Sequence, residues 1–149
     1  MNKNNLYFSK VEETFNFLKD KFPFSPEIII TLGTGLSSVG EDIKKEIELS
    51  YEDIPNFPVS TVETHKGRLI LGYLENKKIA VLQGRFHFYE GYSTKELTFP
   101  LRVLTLFKPK IYIVSNAAGG LNLSYKAGDL MLIKDHINLI PDNPLRGEN

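Results

Sequence analysis

Ile28-Ile29-Ile30-Thr31-Leu32-Gly33-Thr34-Gly35-Leu36 is the stretch on which the fold turns. An apolar run of this length that breaks into glycines reads as a buried strand feeding a tight turn. Upstream, Ser9-Lys10-Val11-Glu12 has the form of a capping box, and Val11, Phe15 and Leu18 follow at helical spacing. This pattern predicts a helix from Ser9 to Lys21, ended by Pro23 and Pro26. Downstream, Arg68 to Leu74 and Lys78 to Leu82 are strand-like runs joined by the polar turn Glu75-Asn76-Lys77, a predicted hairpin. Ser93-Thr94-Lys95-Glu96 is a second capping box, opening a helix through Leu101, Leu104 and Phe107 with Pro100 as a kink or early-turn residue. Ile111 to Val114 reads as a second buried strand running into Ser115-Asn116-Ala117-Ala118-Gly119-Gly120, and Leu130 to Ile133 as a third. Strands and helices alternate around a hairpin, which predicts an α/β fold with a mixed central β-sheet flanked by helices. The loop-like end from Pro141 to Asn149 reads as a chain that stops between elements, so the sheet is expected to be incomplete.

At 149 residues and 42 % hydrophobic content the chain is long enough to bury one core. Its 18 acidic and 18 basic residues cancel, which leaves no broad field for a nucleic acid or an acidic membrane surface. An anion has to be gripped locally. The absence of cysteine excludes disulfides and thiolate metal sites and fits a reducing compartment. The start lacks an apolar signal core and no run is long enough to span a bilayer, so a soluble, cytoplasmic protein is expected.

The densest chemistry lies in Gln83-Gly84-Arg85-Phe86-His87-Phe88-Tyr89-Glu90-Gly91-Tyr92. Read as an extended segment, it puts Arg85, His87 and Tyr89 on one face and Phe86 and Phe88 on the other. A cation, an imidazole and a phenol side by side form a floor for an anion and a hydroxylated ligand. The turns around Thr34 and Ala117 lie at the carboxyl ends of predicted strands, where open α/β sheets bind ligands. Both are expected to offer bare backbone N–H groups, with the Thr34 hydroxyl as an added donor.

Familiar phosphate motifs fit poorly. Gly35-Leu36-Ser37-Ser38-Val39-Gly40 has P-loop glycine spacing but is followed by Glu41-Asp42 where a Lys and a hydroxyl residue are needed. Gly33 to Ser38 approaches the dinucleotide fingerprint but has Ser38 in place of the final small glycine. His65 and His136 taken singly read as a surface and a structural histidine. The histidines share no metal spacing, and no metal is expected.

Taken together, the motifs resemble the purine nucleoside phosphorylases of the trimeric type. The matching pieces are Leu32 to Leu36, Tyr51-Glu52-Asp53-Ile54-Pro55-Asn56-Phe57-Pro58, Ser60-Thr61-Val62, His65-Lys66-Gly67-Arg68, Gln83 to Tyr92, Asn116-Ala117-Ala118-Gly119-Gly120-Leu121-Asn122, and Gly128 to Leu139. They follow one another in the family's order. The resemblance implies reversible phosphorolysis of purine ribonucleosides and deoxyribonucleosides to free base and pentose 1-phosphate. It places Thr34, His65, Arg85, Phe86, His87 and Ala117 at phosphate-binding positions and Tyr89 at a sugar-contacting one, with Arg85 and His87 as the catalytic pair. Phosphate is then a substrate, no cofactor is needed, the partners are phosphate and a purine nucleoside, and the full-length enzyme is a homotrimer. The family usually has Ser at Thr34 and often Gly at Ser37. The resemblance makes residues 1–149 the amino-terminal part of a single phosphorylase domain, carrying the phosphate half of the site and inactive alone. The alternatives are a methylthioadenosine phosphorylase, which the Asn116-Ala117-Ala118-Gly119 run disfavours, and a non-catalytic anion-binding or assembly subunit.

Overall fold

The fold is that of a computed structural model, which describes residues 3–33, 35–59 and 67–146, with backbone only at 3–5 and 37. Helix α1 (Lys3–Lys21) is followed by strand β1 (Ile28–Leu32), strand β2 (Lys44–Ser50), the hairpin β3 (Arg68–Leu74) and β4 (Lys77–Gln83), the short helices α2 (Thr94–Leu97) and α3 (Phe99–Thr105), and strand β5 (Ile111–Val114). The strands form one five-stranded sheet in the order β2-β3-β4-β1-β5. β1 runs parallel to β4 and β5, whereas β2, β3 and β4 are antiparallel neighbours, so the predicted mixed sheet is borne out.

Alternation along the central strands buries both faces of the sheet. Leu69, Leu71, Ala80, Leu82 and Ile29 point into a cluster completed by Leu18 of α1 and Val103 and Leu104 of α3. Ile70, Ile79 and Val81 point the other way, where Leu36, Val39 and Ile43 cover them. The hairpin turns at Glu75 and Asn76, whose positive φ values of 46° and 60° give the left-handed pair that a tight two-residue connection requires.

Several local expectations are corrected. α1 begins at Lys3, so Ser9 lies inside the helix and caps nothing at its start. The ring of Tyr7, 5.8 Å from that of Phe99 and edge-on to it, ties the extra turn to the core. The capping box at Ser93 is present, with Ser93 accepting from the Glu96 amide and Glu96 reaching back to Ser93. The helix it opens, however, breaks at Thr98 and restarts with Pro100 in its first turn. β5 is an exposed edge strand rather than a buried one, and Leu130 to Ile133 forms no strand and lies exposed. β2 is an element that the sequence pattern does not announce.

From Ser115 to Arg146 the chain carries no helix or strand. It is fastened to the helices at its far end, where the Thr94 hydroxyl donates to Asp142 at 2.6 Å and Arg102 donates to the Pro144 carbonyl at 3.1 Å. Between Ser115 and that end, Leu121, Leu130, Leu132 and Leu139 stand at 97 %, 93 %, 96 % and 88 % exposure.

Candidate functional site

Register brings the parallel strands to a common end. Leu32 of β1 pairs with Gln83 of β4, and Thr31 with Val114 of β5, so the chain leaves all of them at nearly one level. The segments that leave are Gly33 onward, Gly84-Arg85, and Ser115 through Ala117. The carboxyl edge of a parallel sheet is where such folds collect ligands, because the diverging loops there leave a crevice lined by backbone amides.

These loops touch one another. The Gly33 amide donates to Ser115 Oγ at 2.8 Å, and Leu36 N–H closes the glycine turn on the Gly33 carbonyl at 3.3 Å. The Gly33 amide is therefore already spent, which corrects the expectation of a bare donor there. A Cβ on Gly33 would stand 2.5 Å from the Ser115 carbonyl oxygen, so only glycine permits this approach. Gly33→Ala is expected to force the segments apart and cost about 1–3 kcal/mol of stability, as overpacking does. An unchanged urea midpoint would show that the segments are not in contact.

Arg85 follows Gly84, whose φ of +103° swings the chain off the end of β4. The Arg85 Nη1 donates to the Ser115 carbonyl at 2.7 Å. The guanidinium is half-buried, and among the described residues no carboxylate pairs with it. Arg68, by contrast, is paired with the Glu48 carboxylate at 2.8 Å and also donates to Gln83 at 2.9 Å. A cation that is partly removed from water and held by one carbonyl still has donors to give to an anion.

The next residue, Phe86, belongs to an aromatic cluster. The Phe86 ring packs at 5.5 Å from Tyr51 and 5.6 Å from Tyr92, so its side chain joins the core and leaves only its backbone to the site. The Tyr51 hydroxyl donates to the Gly84 carbonyl at 3.2 Å, and burial pushes its phenol well above the usual range, which keeps it a donor.

Beyond Phe86 the extended reading fails. Phe88–Glu90 is a single 3-10 turn closed by Gly91 at φ +96°, and it leaves Phe88 partly exposed and Tyr89 83 % exposed. Glu90 drives the turn. Its Oε1 accepts from the His87 backbone N–H at 3.0 Å and lies 2.6 Å from His87 Nδ1. With Nδ1 bound to the carboxylate, Nε2 is the nitrogen left for a ligand. The His87 and Tyr89 rings nonetheless stack, 4.8 Å apart and 15° from parallel, so the imidazole and phenol still lie side by side. Glu90 Oε2 is buried and has no partner among the described residues.

Ala117 lies exposed two residues beyond Ser115, on the same irregular segment that leaves β5, where the expected turn is not formed. Thr34 and His65 fall outside the described residues, as do Ser60-Thr61-Val62. His136 is exposed, its backbone N–H taken by Asp135 at 2.8 Å. Among the described residues no cluster of His, Cys, Asp or Glu could hold a metal ion, and no helix is long and apolar enough to cross a membrane. Ser115, Glu90 and Tyr51 join the site only in the folded chain; Tyr51 and Glu90 lie within the family motifs quoted above, but their types gave no sign of a site role, and Ser115 lies outside those motifs.

Comparison with known proteins bears on the family and the fold. The family model described as the phosphorylase superfamily matches residues 27–149. The chain is 52 % identical over 139 residues to purine nucleoside phosphorylase 1 of Geobacillus stearothermophilus, covering 93 % of this chain and 51 % of the relative. It is 43 % identical over 150 residues to the purine nucleoside phosphorylase of Mus musculus, covering 99 % and 52 %. Among solved structures, the Schistosoma mansoni purine nucleoside phosphorylase in complex with acetate superposes with a TM-score of 0.75 at 45 % identity, over 81 % of this chain and 44 % of that one. The chain spans about half the length of the curated relatives it matches. The resemblance read from the motifs is thus borne out, and the chain belongs to the phosphorylase superfamily.

Proposed function

We propose that residues 1–149 carry the phosphate-binding half of a purine nucleoside phosphorylase site, as the amino-terminal part of one phosphorylase domain. The reaction is the reversible phosphorolysis of purine ribonucleosides and deoxyribonucleosides. The observation that carries this reading is Arg85: a half-buried guanidinium at the level ends of β1, β4 and β5, without a carboxylate partner among the described residues. The relatives' names supply the substrate class.

In this reaction a phosphate oxygen forms a bond to C1′ as the bond from C1′ to the purine nitrogen breaks, and the bonding electrons leave with the base. The sugar becomes cation-like and the purine anion-like. A phosphate held against the sugar face both stabilises the cation and supplies the nucleophile. Arg85 fixes two phosphate oxygens, and His87, Thr34, His65 and the Ala117 amide bind the others. Phe86 contributes through its backbone. Tyr89, stacked on His87, aligns the sugar. Phosphate is a substrate, so no cofactor is required, and the complete enzyme works as a cytoplasmic homotrimer.

The test is a chimera in which residues 1–149 replace the matching segment of the Geobacillus stearothermophilus relative. It is expected to release hypoxanthine from inosine only when phosphate is supplied, with ribose 1-phosphate as co-product. A folded chimera that releases base equally well without phosphate would make this a hydrolytic site. One that binds phosphate but is inert would favour a non-catalytic anion-binding role.

A further inference from the structure

Ser115 bonds to the neighbouring strand-end segments with every polar group that faces them. Its backbone N–H donates to the Thr31 carbonyl at 3.1 Å, and its Oγ also reaches that carbonyl, at 3.2 Å. The same Oγ accepts from the Gly33 N–H at 2.8 Å, while the Ser115 carbonyl accepts from Arg85 Nη1 at 2.7 Å. One half-buried residue therefore joins the exit of β1, the exit of β4 through Arg85, and its own segment leading to Ala117.

We infer that Ser115 is a positioning residue for the anion, acting through Arg85 and the Ala117 segment; the inference rests on the phosphate reading above. A hydroxyl offers one proton and two lone pairs. Here the proton goes to Thr31 and a lone pair to Gly33, so the hydroxyl is used in both senses and locks the Ser115 backbone against β1. That lock aims the carbonyl at Arg85. The guanidinium is then held at one edge by Ser115 and has donors left over, so an arriving anion meets a fixed fork instead of a side chain with free rotamers. Removing Oγ leaves the buried Gly33 N–H without its acceptor and releases the segment that carries both the Arg85 anchor and the Ala117 amide.

The test compares the 149-residue chain with its Ser115→Ala, Ser115→Thr and Arg85→Ala variants. Inorganic phosphate is titrated calorimetrically, and amide exchange is followed at Gly33. The expected result is that Ser115→Ala weakens phosphate binding about tenfold and speeds Gly33 exchange, while Ser115→Thr, which keeps the hydroxyl, restores both. A purely structural serine would speed Gly33 exchange when replaced by alanine without weakening phosphate binding. Ser115→Ala that binds phosphate like the parent chain, while Arg85→Ala does not, overturns the positioning role and leaves the phosphate reading standing. Slow Gly33 exchange in a folded Ser115→Ala variant overturns the lock itself. A parent chain that takes up no phosphate overturns the phosphate reading and the positioning role with it. Should Ser115→Ala not fold, Ser115→Thr decides: a phosphate affinity tenfold below the parent's overturns the inference, and parent-like affinity with slow Gly33 exchange supports it.

Discussion

Arg85→Ala is expected to weaken phosphate binding by about 10- to 150-fold. A hydrogen bond to a charged group is worth roughly 1.5–3 kcal/mol, and each 1.4 kcal/mol is a factor of ten. The fold should survive the change, because Arg85 contributes one bond to a carbonyl at the sheet edge and its side chain is not part of either core cluster. Arg85→Lys restores the charge but not the planar fork, so its affinity should fall between the two. Calorimetric titration of phosphate into each variant measures the effect, with the urea midpoint as the control for folding. If Arg85→Ala bound phosphate like the parent chain, the anion would have to sit elsewhere.

Residues 1–149 alone are expected to phosphorolyse inosine at least about 10²-fold more slowly than the chimera described above. One preorganised electrostatic contact commonly contributes 10²–10³ in rate, and the leaving purine needs contacts of its own. The groups proposed above, Arg85, His87 and the Ala117 amide, are all assigned to phosphate and none to the purine. The relatives are about twice as long as this chain. Leu121, Leu130, Leu132 and Leu139 are all almost fully exposed and β5 is an open, exposed edge strand, so the isolated chain should also associate as its concentration rises. A spectrophotometric assay of both proteins at equal concentration, with light scattering alongside, measures these effects. A comparable rate from residues 1–149 would mean that they contain the purine-side groups as well.

Features set by a few neighbouring residues are legible in the sequence alone. The Ile28 run, the hairpin and the Ser93 capping box each carry their own periodicity or turn chemistry, and all are present. Where long-range partners decide, local patterns mislead. The Ser9 motif is as good a cap as the one at Ser93, yet Tyr7 packs on Phe99 and draws the helix further upstream. β2 reads Lys-Lys-Glu-Ile-Glu-Leu-Ser, with too few apolar residues to announce a strand. Its conformation comes from pairing with β3, and a register shift between Lys45 and Ile47 disturbs the alternation further. Leu130 to Ile133 is the reverse case, with strand-like residues but no strand paired with them in the sheet described.

The candidate site divides in the same way. Arg85, His87 and Ala117 are legible as chemistry because of their types and their place after predicted strands. The shape that holds them is not. Glu90 folds Phe88–Glu90 into a turn by binding back onto His87, which no alternating pattern foretells. Ser115 meets Gly33 and Thr31 across 82 and 84 positions of sequence, a contact created only when β1 and β5 pair.

A crystal structure of the chain with phosphate tests the central claim most directly. One tetrahedral anion is expected at the carboxyl ends of β1, β4 and β5, within hydrogen-bonding distance of the Arg85 guanidinium and the Ala117 amide, with Ser115 still bound to Gly33. Phosphate bound away from Arg85 at saturating concentration, or none at all at this sheet edge, would contradict it.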